Sequence, residues 1–405
     1  MLAPFKEVRK LVAPVRNLLL PKPKRAAGLI LPGDPRDPSC VGYDKAIYQG
    51  LAIQTQESEV LDFSSTGNDS AQMSKDRLIT CIDLVADPYQ ADGDGANTPT
   101  IVEDAQDKLI SQLNVNGSAK PFVSINGAAL AYLKALGNLN KVVYPGLRRG
   151  DLPTGTGANQ TARFMHRLHF GAMNDYDLFD ITAGIPAQLL NALQVSVTWG
   201  ADNVFAATST HQVADTNTDV YVVSYGVQGL PTEYLQRCPI PEITMDFNTA
   251  PSARTIFKLL GQRYLKRTTI LNLAAAASNN AGRNDSNLTD VTLRLSKPAT
   301  GTPISLVRWQ TFRASLSGWG RGPEIDKDGA AAVAGDGLTG VAVIDWRRWT
   351  KNPYGLNLMA FGNDDAQLEF NVGTTTGSIY LLHEYYAFPD PSVPDQWANA
   401  AWRPQ

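Results

Sequence analysis

Two stretches between Thr161 and Gly200 keep a period of two, strict in the second of them, and that period decides most of what this chain can become. Leu193, Val195, Val197 and Trp199 alternate with Gln194, Ser196 and Thr198, giving one apolar and one polar face when the backbone is extended. Upstream, Phe164, His166, Leu168 and Phe170 share one parity while Arg163, Arg167 and His169 share the other. A helix would scatter both sets around its circumference, so both are predicted strands. Between them lie an acidic spacer (Asn174, Asp175, Asp177, Asp180) and the turn Gly184-Ile185-Pro186, a long excursion rather than a tight hairpin. Burying the four apolar residues of the second strand would contribute roughly 6–12 kcal/mol, an upper figure because unfolded chains are partly compact. That strand belongs to a core.

The same pattern returns near the C-terminus. Val341 to Trp346 reads as a strand, Leu368, Phe370 and Val372 alternate with Gln367, Glu369 and Asn371, and SIYLLHEYYAF follows Gly377. In that last strand Tyr380, Leu382 and Tyr386 stand against Ile379, Leu381 and Tyr385, apolar on both parities, which requires a second surface to cover it. Further strands are predicted over Tyr43–Phe63, Arg77–Val85, Lys108–Val115, Pro121–Ile125, Val220–Tyr225, Tyr264–Leu273 and Val291–Leu295. Short helices are predicted after Asn126 (Leu130, Leu133, Leu136), after Ser252 (Ile256 to Leu260) and over Ile304–Leu316. Only 19% of the 405 residues are charged, with 33 Gly and 25 Pro, a composition suited to many short strands and turns. The expected class is all-β with a few short helices. The polar run Thr208–Thr218 marks the expected boundary between halves, giving an arm at 1–40, a first unit at 41–208 and a second at 209–405.

The first twenty-five residues differ from the rest. Lys6, Arg9, Lys10, Arg16, Lys22, Lys24 and Arg25 face one acid, Glu7, while Phe5, Val8, Val12, Val15 and Leu19 recur at helical spacing. Pro14 kinks or ends that helix. A basic amphipathic helix suits an anionic membrane surface or a neighbouring subunit; the alternative is a solvated tail.

Several chemistries are excluded or disfavoured. A net charge of -3 provides no field by which the body of the protein would hold nucleic acid. Cys40, Cys81 and Cys238 are odd in number and widely spaced, which argues against a disulfide framework or zinc site and for a reducing compartment. His166 and His169 form HxxH, but on a strand they point to opposite faces and cannot chelate one ion. His211 lies in a polar run, and His383 adjoins Glu384 on a strand with the two on opposite faces. Asp92–Glu103 has carboxylates at the first, third and twelfth places of a calcium loop, but Asn97 stands where glycine is required. No nucleophile elbow, zincin or phosphate-loop motif occurs, and Asp326 with Asp328 or Asp364 with Asp365 read as solvated loop acids. No cofactor is expected. Trp346, Arg347, Arg348 and Trp349 read as a subunit contact.

With those residues in view, the chain resembles the double-jelly-roll major capsid proteins of tailless icosahedral viruses, the lineage of tectivirus-type membrane-containing phages and adenovirus hexon. The resemblance is carried by RFMHRLHFGAMNDYDLFDITAGIPAQLLNALQVSVTWGADNVF and by GVAVIDWRRWTKNPYGLNLMAFGNDDAQLEFNVGTTTGSIYLLHEYYAF, roughly a quarter of the chain. The remainder matches in the order of elements only. It implies two tandem eight-stranded jelly-roll β-sandwiches, homotrimers with a pseudo-hexagonal outline, and a structural, non-enzymatic role in a virion shell. It also implies as partners other capsomers, penton or minor capsid proteins, and an inner viral membrane met through the N-terminus. The rival expectations are a vertex, spike or receptor-binding virion protein and a carbohydrate-active β-sandwich, the latter needing two facing carboxylates in a cleft.

Overall fold

The computed structural model describes residues 52–92, 109–126, 160–200, 212–213, 219–273, 284, 287–296, 301–317 and 340–388, apart from 65, 118–120, 176, 250, 252 and 374–376. Among them are sixteen strands of five residues or more, falling into two sets of eight. The first set is β1 (Ile53–Asp62), β2 (Asn68–Gln72), β3 (Arg77–Asp92), β4 (Ile110–Gly117), β5 (Pro121–Asn126), β6 (Gln160–His169), β7 (Leu193–Trp199) and β8 (Asp219–Gln228). The second is β9 (Ile240–Asn248), β10 (Arg254–Lys258), β11 (Tyr264–Leu273), β12 (Leu288–Leu295), β13 (Gly301–Arg308), β14 (Val341–Asp345), β15 (Ala366–Val372) and β16 (Ser378–Ala387). Helix α1 (Thr232–Leu235) lies between the sets, with α2 (Trp309–Ser317) and α3 (Trp346–Thr350) in the second.

Both sets are wired alike. In the first, one sheet runs β1-β8-β3-β6 and the facing strands run β2-β7-β4-β5; in the second the orders are β9-β16-β11-β14 and β10-β15-β12-β13. Each set therefore pairs its first strand with its eighth and its second with its seventh, which is the jelly roll. The facing sheets of both sets close over their apolar parities. Leu193, Val195, Val197 and Trp199 are at most 2% exposed and pack with Leu61, Leu113, Ile82 and Leu168 in one core. Val291, Leu293, Leu368 and Phe370 pack with Leu265, Ile270 and Tyr385 in the other.

The two sandwiches share a sheet. β9 runs parallel to β5 through Ile243↔Val123 and Thr244↔Ser124, so eight of these strands join edge to edge in the order β14-β11-β16-β9-β5-β4-β7-β2. β16 accordingly serves both cores: Ile379, Leu381 and Tyr385 enter the second, Leu382 the first, and Tyr386 a third cluster between them. The second surface required by its two apolar parities is the neighbouring sandwich of the same chain. β11 is buried along nine of its ten residues for the same reason.

Three expectations need correction. The strand Val220–Tyr225, expected to open the second half, is β8, hydrogen bonded between β1 and β3. The polar run before it lies between β7 and β8 of the first set, and its Gln212–Val213 pairs with β3, so the change of composition there does not mark the passage to the second set. Arg254–Lys258 is a strand paired with β15 rather than the helix expected after Ser252; alternation at Thr255 and Phe257 outweighs a lone capping residue. The helix expected from Ile304 starts at Trp309, because Ile304 to Arg308 complete β13 against β12. The helix after Asn126, the acidic loop at 92–103 beyond its first residue, and the basic arm lie outside the described residues.

Val197→Asp is expected to abolish folding by setting an unpaired charge into the first core. Ile256→Asp, on a position 44% exposed, should leave solubility and the cooperative melt followed by circular dichroism near wild type.

Candidate functional site: a buried charge clasp between the sandwiches

The segment from Phe170 to Gly184 leaves β6 and returns to the first sandwich, and its fold is set by one carboxylate. Asp180 accepts from the backbone N–H of Met173 (3.0 Å), Asn174 (2.8 Å) and Thr182 (2.9 Å) and from the Thr182 hydroxyl (2.6 Å). Gly171 allows this, since a Cβ there would stand 2.6 Å from the Asp180 side chain. The loop thus tightened pushes Asp175 toward the second sandwich.

Three cations of the second sandwich meet it. Asp175 Oδ2 lies 2.6 Å from Arg347 Nη2 and 3.0 Å from Arg267 Nη2, and Oδ1 lies 3.2 Å from Lys266 Nζ. The same cations bind the loop's carbonyls: Lys266 Nζ donates to Gly171 O at 2.7 Å and Arg347 Nη1 to Ala172 O at 2.9 Å. Asp345 accepts from Arg347 at 2.7 Å, and Glu384 lies 3.5 Å from Arg267 Nε, so three acids face three cations. The Tyr386 hydroxyl donates to the carbonyls of Phe170 (3.0 Å) and Gly171 (2.9 Å), Tyr234 donates to Ile181 O at 2.5 Å, and Gly184 N donates to Pro239 O at 3.1 Å. Gly355, at φ +96°, brings the chain after α3 against the Leu265–Lys266 backbone, where a Cβ would meet Leu265 O at 2.1 Å.

Electrostatics favour the ionised clasp. Burial alone would push the Asp175 carboxyl up, but Lys266, Arg267 and Arg347 reverse this and hold it well below the usual carboxylate range. Burial drags the Lys266 ammonium down against the pull of Asp175 and Glu384, and Asp345 and Asp175 raise Arg347 against its own desolvation. His169 donates through Nε2 to Asp177 O at 2.8 Å, and burial, then Lys266, lower its pKa. Charges removed from water in this way cost several kcal/mol each unless fully paired, so the arrangement imposes one relative placement of the two sandwiches. Its chemistry is that of a lock. A carboxylate held ionised by three cations is a poor acid catalyst and a poor electrophile.

The histidines divide as their parity predicted: His166 faces inward, fully buried, and His169 faces the clasp. His383 lies inside the second sandwich, where a polar chain runs from Trp346 Nε1 to Thr268 Oγ1 (3.0 Å) and on to His383 Nδ1 (3.2 Å). Burial lowers its pKa to about 3. Trp346 and Arg347, expected at a subunit contact, are used within the chain: Trp346 is 2% exposed and Arg347 is in the clasp. Trp349 and Arg348 remain at the surface. Cys81 and Cys238 are buried free thiols whose pKa burial raises. Among the described residues no group of three or more His, Cys, Asp or Glu is placed to hold a metal ion, and no helix is long and apolar enough to cross a membrane. The seven basic arm residues fall outside the described part.

The clasp escaped sequence reading because Asp175 looked like a spacer acid. A signal was present on the other side: Lys266 and Arg267 are consecutive cations in a strand with no acid of its own, which demands a partner from elsewhere.

No family model matches the chain, and no curated protein does. Solved structures do. A chain from the atomic structure of Sulfolobus turreted icosahedral virus superposes with a TM-score of 0.62 at 15% identity, covering 86% of this chain and 95% of that one. The crystal structure of the STIV MCP gives 0.61 at 14% identity, covering 84% and 97%. PBCV-1 VP54, fitted into a reconstruction of the virophage Sputnik, gives 0.51 at 11%, covering 83% and 94%. The shared feature is the fold, a double jelly roll spanning nearly the whole of each viral chain.

Asp175→Ala is expected to cost about 3–5 kcal/mol by stranding buried cations and to split one calorimetric transition into two. The depressed His383 pKa has a defined sign: its contribution is complete above the unfolded value near 6.5 and is lost as pH falls toward about 3, at most ~5 kcal/mol. Denaturant melts from pH 7 to 4 should show a shallower loss of stability for His383→Gln than for wild type.

Proposed function

We propose that the chain is a structural major capsid protein that forms homotrimers with a pseudo-hexagonal outline and tiles an icosahedral virion shell. The observation that carries this reading is the repeated eight-strand wiring, locked side by side by the clasp and matched over most of its length by viral chains of the same fold. A shell subunit must hold a fixed shape under contact from all sides, and a buried network between two sandwiches supplies that rigidity where an enzyme would keep a cleft. Three copies present six sandwiches, which is the physical basis for a hexagonal footprint. The chain divides in this reading into the arm, a first sandwich closing at Gln228 and a second opening at Ile240. Its net charge of -3 per copy gives only weak repulsion between copies across a Debye length of about 8 Å.

Lys6, Arg9, Lys10, Arg16, Lys22, Lys24 and Arg25 form an assembly arm in this scheme, working against an anionic inner membrane or a neighbouring copy. Penton and minor capsid proteins would complete the shell, and the body would leave the genome untouched. No catalysis is assigned.

Sedimentation of the purified protein at micromolar concentration should give a species of three 43.8 kDa chains, with a hexagonal outline by negative-stain microscopy; a monomer would sink the proposal. Deleting Met1–Arg25 should leave the trimer intact and abolish closed particles, and loss of the trimer itself would assign the arm a different role.

A further inference from the structure

The contact between the two sandwiches runs head to tail. It sets β5, the end strand of its sheet in the first, beside β9, the opening strand of the second. It also lays one side of the sheet β9-β16-β11-β14 on the first core: Leu271, Val341 and Leu382 are buried there, with Met245, Val343 and Tyr380 packed against it. Register puts these on one side, Leu271 opposite Val341 and Tyr380, and Leu382 opposite Met245. Since the sandwiches are wired alike, each surface has a counterpart. In the first sandwich it is the outer side of β1-β8-β3-β6; in the second it is β13, which ends its sheet as β5 does.

That outer side carries a row that is apolar across all four strands, Val60, Tyr221, Val85 and Met165 in register, where a solvated face would present polar residues. Val60 is 49% and Tyr221 37% exposed, and none of the four joins the core behind them. Two residues along, on the same side, Asp62 directly opposes Asp219, both exposed, and like charges so placed repel. On β13 the ladder with β12 slips between Ile304 and Val307, and Leu306, its N–H on the Thr292 hydroxyl at 3.1 Å, takes φ +48°. Glycine is the usual occupant of such a bulge, yet this leucine is 62% exposed, more than any other large hydrophobic residue described. Backbone strain kept at an exposed apolar residue points to a contact, and the exposed Arg308 follows two positions later.

We infer that the contact inside the chain is repeated between chains: β13 of one copy packs against the outer side of β1 and β8 of the next, Leu306 on Val60 and Tyr221, and Arg308 at Asp62 and Asp219. The spacing is the same on both partners, an apolar residue followed two positions later by a charge. Strands laid side by side in parallel, as β9 lies to β5, satisfy both matches at once. A guanidinium between the two carboxylates offsets their repulsion. A head-to-tail contact that repeats and closes makes a ring, and three chains supply the six sandwiches of a hexagonal outline. The inference rests on the homotrimer reading and adds to it the two surfaces that meet.

The test begins with sedimentation of the full-length wild-type protein, then treats cysteine variants with a short bismaleimide linker in a Cys40→Ser background, since Cys81 and Cys238 are buried. Val60→Cys combined with Leu306→Cys should give a covalent ladder ending at three chains on a denaturing gel, and neither single variant should link. Charge reversal, Asp62→Arg with Asp219→Arg, should raise the concentration at which the trimer dissociates at least about tenfold by setting like charges together. Its circular-dichroism spectrum should match wild type, and adding Arg308→Asp should restore most of the loss. A wild-type monomer would defeat the homotrimer reading and this inference together. With a wild-type trimer, three results would each overturn the inference alone: a double-cysteine variant that stays unlinked or links only within one chain, a single variant that links to itself, or a charge reversal that leaves dissociation unchanged.

Discussion

Lys266 and Arg267 sit in a strand that is buried on both faces, and two cations in such a place cannot exist without acids brought to them. Asp175 from the first sandwich, with Glu384 and Asp345 from the second, supplies that compensation. The consequence reaches beyond the salt bridges. Because the penalty for an unpaired buried ion is several kcal/mol, the two sandwiches are held at the one placement in which the acids and cations coincide, and the aromatic contacts of Tyr234, Tyr264, Tyr354 and Tyr386 pack around it.

The shared sheet works with the clasp. Only two residue pairs link β9 to β5, a hinge too slight to fix an angle unaided. Burial of Leu271, Val341 and Leu382 in the core of the opposite sandwich turns that edge contact into a continuous interior. A pair of sandwiches built this way is one continuous packed unit.

Surface chemistry is divided differently. The outer faces carry ion pairs of modest worth, such as Arg254 and Arg294 around Glu369, whereas Arg167 reaches the fully buried Asp83 through two bonds of 2.6 Å. Burial and then the Asp83 charge push the Tyr225 hydroxyl up to about 12. Part of the outer face is therefore already sealed by the chain itself.

What could be read from the linear chain follows from local periodicity. Leu193 to Trp199 declares itself as a strand because side-chain direction alternates residue by residue, whatever lies around it. The doubled apolar parity of the last strand likewise announced a second covering surface. Other features depended on pairings across long separations. Asp175 and Arg347 are 172 residues apart, and nothing local distinguishes a clasp acid from a solvated one. Val220 to Tyr225 could not be assigned to the first sandwich until its ladders with β1 and β3 were seen, since a strand's sequence records which faces are apolar and carries no record of its neighbours. Periodicity set the elements and their inward faces; tertiary structure alone decided which charges met and which strand closed which sheet, because each of these depends on distances through space that folding creates.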